Sequence, residues 1–251
     1  MELSDFFKLH PRVALAFSGG ADSAYLLYAG IRAGADIAPY FVKSQFQPAF
    51  EREDARRLAA ALGVELRELC VDILACGDIR ANPAGRCYLC KREIMRAVRA
   101  AAERDGYAAI IDGTNFDDDA ADRPGMRALA EEGVLSPLKL CALKKADIRR
   151  LSAEAGLFTA DKPAYACLAT RIPTGEEISA EKLAAVERGE ACLMRMGYSD
   201  MRVRLRGDEA LLQFTAEELP RAAAELALIR GELLKDFTHV TLDMKAREKS
   251  R

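Results

Sequence analysis

Residues 12–27 read RVALAFSGGADSAYLL, a short apolar run that ends in Ser18-Gly19-Gly20 and passes directly into a helical pattern. A buried strand, a tight glycine turn and a helix make the simplest structure for such a string. It commits the chain to packing helices on a sheet, since an apolar strand of this kind is covered on both faces. The turn aims successive backbone N–H groups and the positive end of a helix at one point, which suits a phosphate. Gly19 and Gly20 let the backbone approach the anion, and Ser18 and Ser23 add hydroxyl donors. Asp22 would repel a phosphate unless it held a magnesium ion or oriented a hydroxyl, so it is a candidate magnesium ligand. Ser-Gly-Gly alone also fits an ordinary strand-to-helix turn. No Gly-Lys pair occurs anywhere in the chain, which excludes a lysine-bearing P-loop, and no dinucleotide fingerprint is present.

Further strand patterns at 37–42, at 65–71 and in YAAIIDGTN, which empties into a polar loop at Asp112, alternate with helical patterns at 51–62, 87–104 and 144–155. That alternation predicts an α/β fold with a parallel sheet flanked by helices. A loop over 158–178 follows, of a length that usually carries function. Beyond it the order changes to a helix at 179–196, strands at 202–205 and 210–214 joined at Gly207-Asp208, a helix toward 235 and a strand at 240–244. This predicts two domains, 1–175 and a smaller C-terminal α+β domain at 176–251. A chain of 251 residues, half of them hydrophobic, has core enough for both. Lys and Arg total 37 against 39 Asp and Glu, a formal net charge of -2, so no basic field points to nucleic acid or a membrane surface. Neither a signal peptide nor a spanning segment is legible, and a cytoplasmic protein is expected. Only His10 and His239 are available, which disfavours imidazole catalysis.

Seven cysteines (70, 76, 87, 90, 141, 167 and 192) form an odd set, and in a reducing compartment metal or sulfur chemistry is the better expectation than disulfides. In NPAGRCYLCKRE, Cys87 and Cys90 stand at a predicted helix start, where the dipole, Arg86 and Lys91 favour thiolate. Cys167 lies in PAYACLATRIPTG, beside Arg171 in the long loop. A Cys-x-x-Cys pair also serves as a zinc or redox site, although zinc wants four ligands and neither segment has a histidine. Three thiolates fit an iron–sulfur cluster with one open iron. Cys70, Cys141 and Cys192 read as core residues, and Cys76 as undecided.

Taken together, AFSGGADS, NPAGRCYLCK, IIDGTNFDD, SPL before a helix, and ACLATRIPTGEEISAEKLAAVERGE resemble the LarE family. Its members are ATP-dependent sulfur transferases of nickel-pincer cofactor biosynthesis, within the PP-loop ATP pyrophosphatase superfamily. The resemblance runs over nearly the whole chain, with Thr170 where the family commonly has Ser. It implies a PP-loop ATP pyrophosphatase domain using ATP and magnesium, with Ser18, Gly19, Gly20, Asp22 and Ser23 at the phosphates and Asp112 and Thr114 bordering the nucleotide. It implies a small-molecule nucleotide partner, a pyridinium biscarboxylic acid mononucleotide. A carboxylate of that substrate is adenylylated with loss of pyrophosphate and then becomes a thiocarboxylate.

One branch of the family sacrifices the sulfur of a single cysteine at the position of Cys167, leaving dehydroalanine. The other holds a 4Fe-4S cluster on three cysteines, and Cys87, Cys90 and Cys167 place this chain there by resemblance. Arg171, Glu190, Arg202 and Arg204 fall where the family gathers substrate-binding charge. Arg202 and Arg204 share one strand face and could clasp a phosphate, or form a solvated face with surface salt bridges; Asp112 could simply cap its loop. A PP-loop tRNA thiolase and a zinc-bearing nucleotide-binding module are the rival readings. A homo-oligomer is expected.

Overall fold

The computed structural model describes residues 1–118 and 124–248. The chain divides into two compact units, one of Met1–Ile73 with Gly85–Lys162 and a smaller one of Leu74–Ala84 with Pro163–Arg251. The boundary drawn from sequence at 175/176 therefore lies inside the smaller unit. In chain order the helices are α1 (Leu3–Leu9), α2 (Ala21–Arg32), α3 (Ala49–Ala61), α4 (Gly77–Arg80), α5 (Arg86–Arg104), α6 (Pro124–Glu131), α7 (Pro137–Leu140), α8 (Lys145–Glu154), α9 (Ala180–Arg195), α10 (Leu219–Ala224) and α11 (Leu226–Leu233). No helix among the described residues is long and apolar enough to cross a membrane.

The larger unit is built on a four-stranded sheet of β1 (Arg12–Ala16), β2 (Asp36–Lys43), β3 (Arg67–Cys70) and β4 (Ala109–Asp112), in the order β3-β2-β1-β4. All three pairings are parallel. Strand alternation sorts the core into two layers. Val13, Leu15, Ile37, Phe41 and Ile111 face Phe6 and Phe7 of α1, Leu26 and Leu27 of α2, and Leu58 of α3. Ala14, Ala38, Tyr40, Val42 and Ile110 face Met95, Val98 and Ala102 of α5 and Leu129 of α6. The chain moves from β1 through β2 to β3 on one side and returns to place β4 on the other side of β1. That reversal is a topological switch point, and the crevice beyond the carboxyl ends of β1 and β4 is where such sheets bind ligands.

The smaller unit holds a three-stranded sheet in the order β5-β6-β7. Strands β5 (Arg202–Arg206) and β6 (Glu209–Gln213) form a hairpin turning at Gly207, whose φ is +60°. Strand β7 (His239–Leu242) runs parallel to β6 after the α10–α11 crossover. Ser179 caps α9 by accepting from the Lys182 backbone N–H at 3.2 Å. Expected element ends shift by one or two residues, and the single helix toward 235 is two, α10 and α11. Cys70 is exposed rather than part of the core, because β3 is an edge strand and Cys70 is its last residue. Cys141 is half-buried against the core of the larger unit, and Cys192 on α9 is half-buried.

Candidate active site

The glycine turn follows β1 at the switch point. Gly19 has φ +72°, and a Cβ there would stand 3.3 Å from the Ala55 backbone N and the Glu51 carbonyl of α3, so glycine is required twice over. Within the turn the Ser18 and Ser23 hydroxyls are 3.1 Å apart, Gly20 N–H donates to Ser18 Oγ at 3.3 Å, and Ser23 Oγ donates to the Gly20 carbonyl at 3.1 Å. Gly20, the N-cap of α2, offers no side chain to this helix end. The first-turn N–H groups are thus left facing the crevice, as an anion requires.

Asp22 lies in that first turn. Its Oδ2 accepts from Lys145 Nζ at 2.7 Å, while its Oδ1 is buried with no hydrogen-bond partner among the described residues. A buried carboxylate oxygen without a donor is costly unless a cation satisfies it. The arrangement fits a magnesium ion shared between Asp22 and a polyphosphate.

Asp112 ends β4 and is buried. Its Oδ1 accepts from Ser136 Oγ at 2.7 Å and its Oδ2 from Thr114 Oγ1 at 2.5 Å, so Asp112 and Thr114 are brought together and shape their own loop. Between them, Gly113 is the residue that sequence reasoning passed over. A Cβ on it would fall 2.8 Å from the Ser23 backbone N, inside any tolerable contact. Gly113→Ala is expected to push the two loops apart, cost about 1–3 kcal/mol in urea unfolding and weaken nucleotide binding. Unchanged stability and affinity would show that the loops are not pinned there.

Two lysines were also missed. Lys145 begins α8, which packs beside α2. Lys162 Nζ is 2.7 Å from Asp54 Oδ2 and 3.3 Å from the Gly19 carbonyl, 5.6 Å above the Phe50 ring.

Cys87 and Cys90 are the second and fifth residues of α5, three positions apart and so on one helix face. Arg86 Nη2 lies 3.6 Å from Cys87 Sγ; Cys87 is exposed and Cys90 half-buried. Cys167 belongs to the smaller unit, where it caps the 3-10 turn Leu168–Arg171. Its carbonyl accepts from Thr170 Oγ1 at 2.8 Å. Among the described residues, no three His, Cys, Asp or Glu side chains already sit together as metal ligands.

Arg171 organises the Cys167 loop. It is 1% exposed, donates through Nε and Nη2 to Glu190 at 2.7 and 3.1 Å, and through Nη1 to the Ala166 carbonyl at 3.0 Å and Thr170 Oγ1 at 2.7 Å. Glu190 also accepts from the Val203 N–H at 3.0 Å and from the Tyr165 hydroxyl. Burial works against the Arg171 charge, yet the Glu190 bonds outweigh it, with smaller support from Tyr165 and Cys167, and its pKa rises. Arg202 is buried too, so the solvated-face alternative fails for it; it reaches the Met201 carbonyl at 2.7 Å, the Ala164 carbonyl at 3.2 Å and Asp200 at 3.3 Å. Burial, with Arg171 and Arg247 nearby, lowers its pKa to about 10, which still leaves a cation at neutral pH. Arg204 is the exposed one of the four, bonded to the Thr170 carbonyl at 2.8 Å and Gln213 at 2.6 Å.

A parallel sheet that delivers SGGADS to an uncapped helix end at its switch point defines an α/β protein of the PP-loop class. No protein-family model matches the chain. It is 36% identical to an uncharacterised protein of Synechocystis, over 97% of this chain and 92% of that one. With the pyridinium-3,5-bisthiocarboxylic acid mononucleotide synthase of Lactiplantibacillus plantarum it shares 30% identity over 93% of this chain and 86% of that protein. A tRNA(Ile)-lysidine synthase of Nocardia farcinica is 30% identical over 89% of this chain and 70% of its own. The chain belongs to the LarE family of PP-loop proteins, the family of the Lactiplantibacillus synthase.

Proposed function

We propose that this protein is an ATP-dependent sulfur transferase, forming AMP and pyrophosphate, that converts a carboxylate of pyridinium-3,5-biscarboxylic acid mononucleotide into a thiocarboxylate for a nickel-pincer cofactor. The observation that carries the reading is the uncapped start of α2 with Asp22 Oδ1 beside it, buried and without a partner among the described residues, a place for a magnesium polyphosphate. A carboxylate is a poor electrophile, and adenylylation turns its oxygen into a leaving group. The substrate carboxylate attacks the α-phosphorus, the bond to the β-phosphate oxygen breaks, and pyrophosphate leaves on the N–H groups of Gly20 to Ser23 with Ser18 and Ser23 as donors. Asp22 would hold the magnesium ion, and Asp112 with Thr114 border the nucleotide. A sulfur nucleophile then forms the C–S bond as the C–O bond to AMP breaks. Arg204, exposed, and Arg202 behind it provide positive charge for the substrate phosphate.

The donor set Cys87, Cys90 and Cys167 fits a 4Fe-4S cluster chemically, as three thiolates and no imidazole. Such a cluster, when bound, supplies an iron open to sulfide. A second reading makes Cys167 itself the sulfur donor. It is favoured by one observation, that the smaller unit holds the Cys167 loop in its own web of hydrogen bonds. There Cys167 Sγ displaces AMP, the Cβ–Sγ bond breaks with loss of the α-proton, and dehydroalanine remains. No nucleic acid takes part in either route, in keeping with the formal net charge of -2. With ATP, magnesium and the biscarboxylate substrate, product analysis is expected to find pyrophosphate and AMP; ADP with orthophosphate would overturn the assignment.

A further inference from the structure

We propose that Lys145 and Lys162 form a two-point cationic clamp for the pyrophosphate end of the nucleotide, and that Lys145 engages it by leaving Asp22. The inference rests on reading the glycine turn as an ATP site. A departing pyrophosphate carries several negative charges, while the end of one helix supplies the equivalent of about half a positive charge. The turn itself contains no lysine. Both missing cations arrive from remote sequence, Lys145 from 123 positions and Lys162 from 143 positions along the chain from the groups they bind.

Their anchoring differs, and so do their parts in the clamp. Lys162 is bound to Asp54 of α3 at 2.7 Å as well as to the Gly19 carbonyl, so its ammonium stays at the turn whether or not a phosphate is there. Lys145 Nζ is paired with Asp22 Oδ2 at 2.7 Å, while its backbone N–H is fixed by Asp117 Oδ2 at 2.8 Å. The backbone of Lys145 is therefore held and its ammonium is exchangeable. A magnesium ion reaching the unbonded Oδ1 of Asp22 competes with Lys145 for the same carboxylate charge. Asp22 lies in the first turn of α2, so the ammonium it releases is already at the helix end where phosphate would lie. Magnesium and polyphosphate would thus break the Lys145–Asp22 pair together, and nucleoside monophosphate, lacking the β- and γ-groups, would not gain from either lysine.

The test is calorimetric binding of α,β-methylene-ATP, pyrophosphate and AMP, each with magnesium, to the full chain. Lys145→Gln and Lys162→Gln are each expected to weaken α,β-methylene-ATP and pyrophosphate by about tenfold or more while changing AMP by less than about twofold. Lys145→Arg, which keeps the charge, is expected to recover most of the affinity. Equal loss for AMP and the ATP analogue, or no loss for either, overturns the clamp. Failure of the unsubstituted protein to bind the ATP analogue at all would instead overturn the ATP-site reading on which the clamp rests. Thermal melting of each variant separates lost affinity from lost fold, and if both Gln variants unfold while Lys145→Arg binds no tighter than they do, the lysines are structural.

Discussion

Cys167→Ala is expected to abolish thiocarboxylate formation while pyrophosphate release from ATP continues. In the proposed reaction the two halves would draw on different units of the protein: the glycine turn belongs to the larger one and Cys167 to the smaller. Alanine removes the sulfur and leaves the backbone bonds of the loop, from Thr170 to the Cys167 carbonyl and from Arg171 to the Ala166 carbonyl, intact. Loss of sulfur transfer with retained adenylylation therefore isolates the thiol. Cys87→Ala and Cys90→Ala distinguish the routes. If the three cysteines act as one donor set, each substitution lowers iron and acid-labile sulfide in anaerobically purified protein and stops sulfur transfer alongside Cys167→Ala. Intact-protein mass spectrometry after turnover then finds the unmodified chain. Stoichiometric loss of hydrogen sulfide from Cys167, with Cys87→Ala and Cys90→Ala fully active, would establish the sacrificial route in its place.

The sheet of the larger unit was legible because its signals are local. Val13 to Phe17 alternates between two cores, Ser18-Gly19-Gly20 interrupts it, and the periodicity of 21–32 resumes as a helix, each feature readable within a few residues. Helix α1 was overlooked although Leu3, Phe6 and Phe7 have helical spacing, since seven residues give little periodicity to read. The assignment of 74–84 to the smaller unit has no local signal at all. It follows from the Asn82 side chain donating to the Pro173 carbonyl at 2.8 Å, the Gly175 N–H donating to the Asn82 carbonyl at 2.8 Å, and the Ile178 N–H donating to the Arg80 carbonyl at 2.8 Å. At the site the same division holds. The glycines and Asp22 announce themselves by type and spacing, whereas Gly113 matters only through its approach to Ser23, and a lysine at a helix start, as Lys145 is, has no distinguishing sequence context. Charged residues were the least readable. Arg171 and Glu190 were picked as substrate ligands from their place in a motif, and the structure encloses both and bonds them to each other.

That enclosure makes Glu190→Gln the largest expected loss of stability, about 3–5 kcal/mol in urea unfolding, because it leaves the guanidinium of Arg171 buried without its counter-charge. Glu190 accepts from four donors: Arg171 Nε and Nη2, the Val203 N–H of β5 and the Tyr165 hydroxyl. Glutamine keeps the size but replaces one acceptor oxygen by a donor, which faces Arg171 in either orientation, together with the Val203 N–H in one and the Tyr165 hydroxyl in the other. The effect spreads to the Cys167 loop, since Arg171 is also the donor to Ala166 and Thr170 on either side of that cysteine. By contrast Arg188→Ala on the same helix removes an exposed pair with Asp236 and is expected to cost about 0–1 kcal/mol. The comparison decides what Glu190 is for. As an anchor, Glu190→Gln lowers the unfolding free energy far more than Arg188→Ala and exposes Cys167 to faster alkylation. As a ligand of substrate only, it leaves unfolding and alkylation unchanged and raises KM for the mononucleotide alone, and that result would support Glu190 and Arg171 as substrate-binding residues.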